Sequence, residues 1–482
     1  MWYVVRTPAM LVLAVLVASC AAYRPANAPL ARWDPDYGYR PKRVQAERPM
    51  GDVLLVLAFS GGGTRAAALA YGVLQELRDT RVPVGGTEKR LLDEVDLITS
   101  VSGGSFTAAY YGLYGDHTFV DFEDRFLRRN IQGRLIFELF RPLNWFRLAS
   151  SFFDRSELAV ELYDREIFDR ATFADLEAAH GPFIQINAAD LAAGSRFTFF
   201  QPQFDLICSD LSQFELARAV AASSAVPGLL TPITLRNYAG GCGFQPPPWL
   251  EEALNDRKGG SLRRLRVAQV VASYLEGKRQ YIHLVDGGVA DNLGLRGPLE
   301  NVILVGGIRE RFDMLGNARP THIAIVVVNA EVHPEPEFSL TPAAPSLLMM
   351  LGAVSGVQIY SYNFETIELL RASLANWARE IPPDAQGGPV QTYLSQVAFE
   401  YIQDSEERAY FNELPTSFRL DDEAVDRLIA IGGRLLRESA DFQRLLAALR
   451  SGPGSEAPTQ PSNALGATEA TEPIEASGGA LE

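Results

Sequence analysis

An apolar, β-branched run of seven residues stops abruptly at a serine that two glycines follow. The run from Val95 to Val101 is typical of a buried strand, and helix-compatible residues follow from Phe106 to Leu113. Ser102 therefore lies on a sharp turn between a strand and a helix, which holds its hydroxyl out of the sheet. Gly103 and Gly104 remove Cβ atoms where the strand and the helix would collide. The pattern predicts a nucleophile elbow, and an ordinary turn serine is the alternative.

A second strand-turn-helix unit precedes the first and carries three consecutive glycines. The run from Val53 to Phe59 is typical of a buried strand, and an alanine-rich helix is predicted from Ala66 to Leu77. Between them, Gly61, Gly62 and Gly63 leave backbone N–H groups uncovered at a helix N-terminus, where the helix dipole also favours negative charge. The pattern predicts an oxyanion hole for a charge that develops during a reaction.

Two phosphate-binding interpretations compete for the same glycines. A P-loop requires a lysine followed by serine or threonine, which residues 64–65 do not supply. The glycines do match a loose dinucleotide-binding fingerprint, but that fingerprint also requires an acidic residue at the end of the next strand. Because the next strand ends at Ser102, dinucleotide binding stays only as an alternative.

A third motif places an aspartate at the end of an apolar strand. Leu284 and Val285 lead into Asp286, and Gly287 and Gly288 follow it. The two glycines allow another backbone segment to approach the aspartate closely. The alternative is a plain Asp-Gly turn, which is a common loop signal.

Taken together, the three motifs resemble those of the patatin-like phospholipase family. The resemblance covers about Asp52 to Gly294, and the motifs occur in the family's order within matching strand contexts. The matching segments are Gly61-Gly62-Gly63-Thr64-Arg65, Ser102-Gly103-Gly104-Ser105 and Asp286-Gly287-Gly288, with supporting matches at Asn187-Ala188-Ala189-Asp190-Leu191 and from Ala222 to Gly228.

The resemblance implies a three-layer α/β fold, with a largely parallel central sheet, that works through a Ser–Asp dyad. In such a dyad Ser102 is the nucleophile, Asp286 is the base, and the loop from Gly61 to Gly63 holds the oxyanion. Arg65 is assigned to the same loop, where it either pins the glycines or binds a head-group phosphate. A solvated arginine in the first turn of the helix is the alternative interpretation.

The chain contains five histidines, so a serine-histidine pair has to be weighed as well. His283 lies three residues before Asp286, but side chains alternate between the two faces of a strand. Leu284 and Asp286 then share one face while His283 takes the other. The remaining histidines lie outside the motifs. A hidden triad stays as an alternative to the dyad.

The first twenty residues have the pattern of a bacterial lipoprotein signal peptide. An apolar stretch from Ala9 to Ala18 is too short to span a bilayer, and small residues lead into Cys20. The resemblance to a lipobox implies cleavage before Cys20 and lipidation of its thiol. Because Ala21 follows, the sorting pattern implies the bacterial outer membrane, with the protein facing the periplasm. A plain secretory signal is the alternative, and residues 21–50 are predicted to form a tether.

Two further cysteines, Cys208 and Cys242, would lie in an oxidising compartment. An even pair can form a disulfide there, and two separate buried thiols are the alternative. No cluster of cysteine and histidine suggests a metal, and no cofactor is expected.

Net charge and local composition limit the possible partners and suggest how the chain divides into domains. The net charge of −15 argues against nucleic acid as a partner. We predict an acyl hydrolase domain over 51–330 with an insertion at about 241–280, and a helical extension over 331–450. The segment from Ser451 to Glu482 has no lysine or arginine and is predicted to be a disordered acidic tail.

Two stretches are rich in basic residues, although the chain as a whole is acidic. Between Phe122 and Phe153, arginines alternate with large apolar residues, which suits a membrane interface, a lid or a cover helix with a solvated basic edge. Within the insertion, Arg263, Arg264 and Arg266 form the centre of a basic segment that we expect to meet phospholipid phosphates.

The favoured function is a lipid acyl hydrolase of the phospholipase A or lysophospholipase type. Its substrate would be a phospholipid or another acyl-lipid, and its lipidated Cys20 would hold it at a membrane surface. Two alternatives stay open: a catalytically silent outer-membrane lipoprotein that binds lipid or a partner, and an esterase for an ester that is not a phospholipid.

Overall fold

A computed structural model describes residues 25–255, 261–316, 320–333, 339, 342, 344–381 and 390–451. The predicted signal peptide, its Cys20 and the acidic tail beyond residue 451 lie outside these ranges. No helix of the described ranges is long and apolar enough to cross a membrane.

Within the described residues, one sheet of eight strands forms the centre, and two pairs of short strands lie outside it. In chain order the strands are β1 (Ala28–Pro29), β2 (Val53–Phe59), β3 (Arg81–Val84), β4 (Thr87–Arg90), β5 (Val95–Val101), β6 (Phe183–Asp190), β7 (Ser195–Phe199), β8 (Ser209–Asp210), β9 (Ile233–Arg236), β10 (Tyr281–Asp286), β11 (His322–Asn329) and β12 (Gln391–Ala398).

The central sheet is largely parallel. Its strands follow the order β12-β11-β2-β5-β6-β10-β9, and β7 also pairs with β6. The first five strands of that order run parallel to one another, whereas β10 and β7 run antiparallel to β6. The strands at the centre of the order are almost wholly buried, as expected for a sheet covered on both faces.

Helices cover both faces of this sheet. In chain order they are α1 (Pro41–Glu47), α2 (Gly63–Asp79), α3 (Gly103–Tyr114), α4 (Thr118–Phe122), α5 (Ile131–Phe140), α6 (Pro142–Leu148), α7 (Arg155–Tyr163), α8 (Phe173–Ala178), α9 (Gln201–Asp205), α10 (Leu216–Ser223), α11 (Pro248–Asn255), α12 (Leu262–Leu275), α13 (Gly288–Asp291), α14 (Arg296–Val305), α15 (Ile308–Met314), α16 (Leu347–Glu380), α17 (Ser405–Asn412), α18 (Asp422–Glu438) and α19 (Ala440–Ser451).

Two apolar cores lie on opposite faces of the sheet. The larger core packs α2, α3 and α18 against one face, and the smaller core packs α14, α15 and α16 against the other. Side chains of β2 alternate between them, since Leu55 and Leu57 belong to the larger core while Val56 belongs to the smaller. The predicted three-layer α/β fold with a C-terminal helical region is confirmed.

The C-terminal region also contributes a strand that the helical pattern did not predict. β12 pairs in parallel with β11 along its whole length and so extends the central sheet by one strand. The helical pattern from Asp422 to Leu449 forms α18 and α19, and α18 packs along α2. Strand β12 and the helices α18 and α19 are therefore built into the core rather than attached to its outside.

The described part of the predicted tether, residues 25–50, is folded onto the domain. Asn27 is buried and donates to Ser209 Oγ at 2.9 Å, and Tyr39 is buried against Phe173 and Phe183. Side chains of this kind cannot be identified as buried from a polar, proline-containing sequence alone. This segment is a part of the folded domain and not a free tether.

A disulfide lies under the same N-terminal segment. Cys208 and Cys242 are bonded, which selects one of the two alternatives for these cysteines. Leu30 N–H donates to Cys208 O and Trp33 N–H donates to Cys242 O. The N-terminal segment therefore forms backbone hydrogen bonds with both cysteines of the disulfide.

The expected insertion at 241–280 forms the two helices α11 and α12. They pack together through Leu250, Ala253 and Ala268. In the chain they connect β9 to β10, and these two strands pair antiparallel with each other.

Candidate active site

The serine elbow and the aspartate turn meet at one edge of the sheet. Ser102 follows β5 and caps α3, and Asp286 ends β10. Ser102 Oγ donates to Asp286 Oδ2 at 2.8 Å, although 184 residues separate the two in the chain. Both residues are buried, with 5% and 8% of their surfaces exposed, so the pair is shielded from bulk water.

Ser102 adopts the strained backbone of a nucleophile elbow. Its φ of 49° and ψ of −118° lie outside the ordinary regions for a residue with a side chain. The elbow depends on close backbone approach, because a Cβ on Gly103 would lie 2.0 Å from Gly63 O and one on Gly104 would lie 2.7 Å from Ser60 O. This contact joins the serine elbow directly to the glycine loop.

Two residues that the sequence did not single out hold the elbow in place. Ser223 Oγ accepts from Ser102 N–H at 2.8 Å and donates to Asn187 O at 2.6 Å. Asn187 Nδ2 in turn donates to Ser100 O and Thr99 Oγ1 on the strand before the elbow. Both lie in segments that supported the family resemblance, which was the available signal for them.

Asp286 is an acid with a raised pKa. Burial raises the pKa of its carboxyl to about 6, while hydrogen bonds from Gly288 N–H and Ser102 Oγ–H oppose that rise. The Gly288 bond, at 2.8 Å, occupies Oδ1 and leaves Oδ2 facing the serine. The carboxylate is thus both oriented toward Ser102 and more basic than an exposed aspartate.

The glycine loop supplies backbone donors at the same place. Gly61 N–H donates to Asn292 O at 3.1 Å and Thr64 N–H donates to Ser417 O at 2.9 Å, so both are already used. Gly62 N–H and Gly63 N–H donate to no residue that the structure describes. Of the three predicted oxyanion glycines, Gly62 and Gly63 are therefore the ones with donors to offer.

Arg65 supports the loop from behind and does not line the oxyanion site. It is buried, and it donates to Ala330 O at 2.9 Å, to Leu414 O at 2.5 Å and to Thr416 Oγ1 at 3.0 Å. Burial lowers the pKa of its guanidinium to about 10, which leaves it charged at neutral pH. Three protein acceptors occupy the guanidinium, so the prediction that Arg65 belongs to the oxyanion hole is corrected. The alternative of a solvated arginine is wrong as well, because the side chain is buried. The structure favours the interpretation that Arg65 pins the glycine loop.

The histidines lie elsewhere. His283 is exposed on the face of β10 opposite Leu284, as predicted, and its ring contacts Thr234 Oγ1 at 3.0 Å. None of the five histidines, all within the described ranges, forms a hydrogen bond with Ser102 or Asp286. Within these ranges no group of three histidine, cysteine or acidic residues is placed to hold a metal ion.

Comparisons with known proteins agree with the sequence resemblance. The family described as patatin-like phospholipase matches residues 57–299, about half of the chain. No curated protein matches the sequence.

Among the solved structures that are similar to this chain are three with low sequence identity. Human GIVD cytosolic phospholipase A2 is 12% identical with a TM-score of 0.43, covering 85% of this chain and 62% of that one. The same human enzyme in complex with methyl gamma-linolenyl fluorophosphonate is 13% identical with a TM-score of 0.41, covering 91% and 64%. VipD from Legionella pneumophila is 12% identical with a TM-score of 0.30, covering 83% and 67%. The chain spans less than two thirds of the length of the human structures.

Proposed function

Because this chain belongs to the patatin-like phospholipase family, we propose that it is a lipid acyl hydrolase that cleaves carboxylic esters through Ser102 and Asp286. The observation that carries the proposal is the 2.8 Å hydrogen bond from Ser102 Oγ to Asp286 Oδ2. Ser102 donates this bond from the strained turn between β5 and α3. We place the activity in the phospholipase A or lysophospholipase class.

The first half-reaction transfers the acyl group to the enzyme. Ser102 Oγ attacks the ester carbonyl carbon while its proton passes to Asp286 Oδ2. The negative charge that develops on the carbonyl oxygen is held by Gly62 N–H and Gly63 N–H at the N-terminus of α2. When the tetrahedral intermediate collapses, the C–O bond to the leaving alcohol breaks and the alcohol takes the proton from Asp286.

The second half-reaction releases the fatty acid. Asp286, again ionised, removes a proton from water, and the hydroxide attacks the acyl-enzyme carbonyl. The same two glycine N–H groups stabilise the second oxyanion, and Ser102 leaves with the proton. A pKa of about 6 suits Asp286 to both steps, since it is ionised at neutral pH and yet close enough to that pH to give the proton back.

We further propose that lipidation of Cys20 holds the enzyme at a bacterial outer membrane, facing the periplasm. The support is the short apolar stretch followed by small residues and a cysteine. A disulfide between Cys208 and Cys242 is consistent with an oxidising compartment. A phospholipid or another acyl-lipid is then a substrate within reach of the anchored enzyme.

Release of fatty acid from lipid tests this function. Wild-type protein and the Ser102→Ala variant would be incubated with phosphatidylcholine, with lysophosphatidylcholine and with a soluble short-chain ester. We expect release from the lipids that falls to background in Ser102→Ala, because the nucleophile is gone. His283→Ala is the matched control and is expected to keep wild-type rates.

The other outcomes identify the alternatives. Turnover of the soluble ester alone would indicate an esterase of another class. No turnover by folded protein would indicate a silent lipid-binding lipoprotein, and loss of activity in His283→Ala would indicate a triad.

A further inference from the structure

Large apolar side chains project into solvent from two successive helices, α5 and α6, and from the turn after them. Phe146 is 82% exposed, Leu143 is 70% exposed and Phe137 is 67% exposed. Isolated exposed apolar residues are common, but a cluster within seventeen residues marks an interaction site. We call this cluster the apolar patch; its members are Ile136, Phe137, Phe140, Leu143, Phe146 and Phe152.

The helices that carry the patch are fixed to the domain on their other side. Asn144 is buried and donates to Glu138 O at 2.9 Å, which ties α6 to α5. Ile131 and Leu148 are buried at the two ends of the pair. Arg134 forms an ion pair with Glu166 on the neighbouring segment. The exposure of the patch therefore belongs to an ordered surface and not to a loose end.

Two short connections link the patch to the catalytic site. At the glycine loop, Thr64 N–H donates to Ser417 O, and the next residue, Phe418, exchanges hydrogen bonds with Gln132 at the start of α5. These contacts place the first turn of α5 beside the oxyanion loop.

The second connection starts from the base of the dyad. Asp286 N–H donates to Ala225 O at 2.9 Å, and three residues later Gly228 O accepts from Arg155 at the start of α7. Phe152 lies just before α7, and Leu229, which is also exposed, follows Gly228. Both halves of the catalytic site are thus connected, through hydrogen bonds and short chain segments, to the segment that carries the patch.

The segment that carries the patch is weakly basic, although Arg134, Arg141 and Arg147 each form an ion pair, with Glu166, Glu138 and Glu161 respectively. Residues 131–153 contain three arginines and one glutamate, a net charge of +2, whereas the chain has a net charge of −15. The Arg147 guanidinium lies over the Phe153 ring at 3.7 Å and is also paired with Glu161, so an arginine is held beside the apolar surface. Arginines beside aromatic side chains suit the interface of a bilayer that carries anionic head groups.

We propose that the apolar patch inserts into the head-group layer of an anionic phospholipid bilayer and thereby holds the Ser102 site close to the lipid. The proposal rests on the proposed lipid hydrolase function, and it names the surface from which that site takes its substrate. The patch makes this contact beside the active site, in addition to any anchor at Cys20.

A probe placed in the patch tests insertion directly. The full chain with Cys20→Ser would be labelled with an environment-sensitive fluorophore at Phe146→Cys, since Cys208 and Cys242 are bonded to each other. Val120→Cys is the matched control, because Val120 is 74% exposed. It lies beyond the C-terminal end of α3, whereas Ser102 lies at the N-terminal end of that helix. We expect a blue shift at position 146, and none at 120, with phosphatidylcholine vesicles containing about one-third phosphatidylglycerol.

An unchanged spectrum at position 146 would overturn the proposal, as would an equal shift at position 120. A dimer in sedimentation that Phe146→Asp converts to a monomer would show that a second copy covers the patch, which would also overturn it. The fluorophore result does not depend on turnover, so an inactive enzyme would refute the proposed function without deciding the insertion.

Activity provides the second arm. The double variant Phe137→Asp with Phe146→Asp is expected to hydrolyse vesicle lipid at least about tenfold more slowly, since two apolar side chains lose their place in the lipid. Its rate on a soluble short-chain ester is expected to stay at the wild-type level, as is that of Val120→Asp on both substrates. An equal loss on both substrates would show that the helices serve the fold or cover the site, which would contradict the proposal.

Discussion

The backbone at Ser102 is strained, and contacts with neighbouring residues hold it in this conformation. A non-glycine residue at a φ of 49° with a ψ of −118° costs about 1–3 kcal/mol. Ser223 opposes that cost by accepting the Ser102 N–H, and Gly103 allows the contact with Gly63 O that a Cβ would block. In return, the hydroxyl faces a carboxylate whose pKa burial has raised.

The raised pKa of Asp286 sets the pH dependence of the proposed reaction. The base works only when it is ionised, so kcat/KM should fall as the pH drops through the pKa of about 6. An exposed aspartate would place that fall near pH 4. Rates on a soluble ester, measured between about pH 3.5 and 8, would locate this acidic limb. An acidic limb near pH 4 would contradict the raised pKa of Asp286.

The disulfide makes a second residue-scale prediction. Without reductant, Cys208 and Cys242 should resist alkylation, and one peptide carrying both should appear by mass spectrometry. Breaking a bridge that spans 34 residues should lower the free energy of unfolding by about 2–4 kcal/mol. Alkylation of both thiols in the unreduced, folded protein would contradict the bridge.

At the scale of elements, the glycine loop is supported by the crossing of α2 and α18. A Cβ on Gly72 would lie 2.1 Å from Ile429 O, and one on Gly432 would lie 2.5 Å from Leu69 O. The two backbones therefore approach each other through glycines on both helices. Because α2 begins at Gly63, this packing fixes the helix whose N-terminus carries the proposed oxyanion donors.

Replacing one of these glycines tests the crossing. Gly72→Ala is expected to lower the free energy of unfolding by about 1–3 kcal/mol, because the methyl group meets backbone atoms that cannot move alone. Gly356→Ala is the matched control, since Gly356 also lies inside a helix and a Cβ there meets nothing within 4 Å. The control should raise stability by about 0.5–1 kcal/mol. Urea unfolding measures both, and equal shifts would refute the close crossing.

At the scale of the whole molecule, the sequence predicted what is local and missed what joins distant segments. The strands that end at Phe59, Val101 and Asp286 and the turns after them follow from runs of apolar residues and glycines. β12 was missed because an edge strand with mixed polar and apolar residues lacks a continuous apolar run. The acceptors of Arg65, near positions 330 and 415, could not be predicted because hundreds of residues separate them from it.

These long-range contacts make the C-terminal region a structural requirement. A chain truncated after Glu380 loses β12, α18 and two acceptors of Arg65, Leu414 and Thr416. It is expected to be insoluble or to lack a cooperative unfolding transition, as judged by circular dichroism during heating. A chain truncated after Ser451 keeps every described contact and serves as the control. A folded, active product of the shorter truncation would show that the region is dispensable.

The central claim is that Asp286 activates Ser102 as a nucleophile, and a fluorophosphonate probe measures this most directly. We predict one adduct on the wild-type protein lacking residues 1–20, located at Ser102 by peptide mass spectrometry. Ser102→Ala should give no adduct. Asp286→Asn should react at least about a hundredfold more slowly than the wild type, because no base takes the serine proton. An adduct that persists in Ser102→Ala, or folded wild-type protein that stays unlabelled even with phospholipid vesicles present, would contradict the claim.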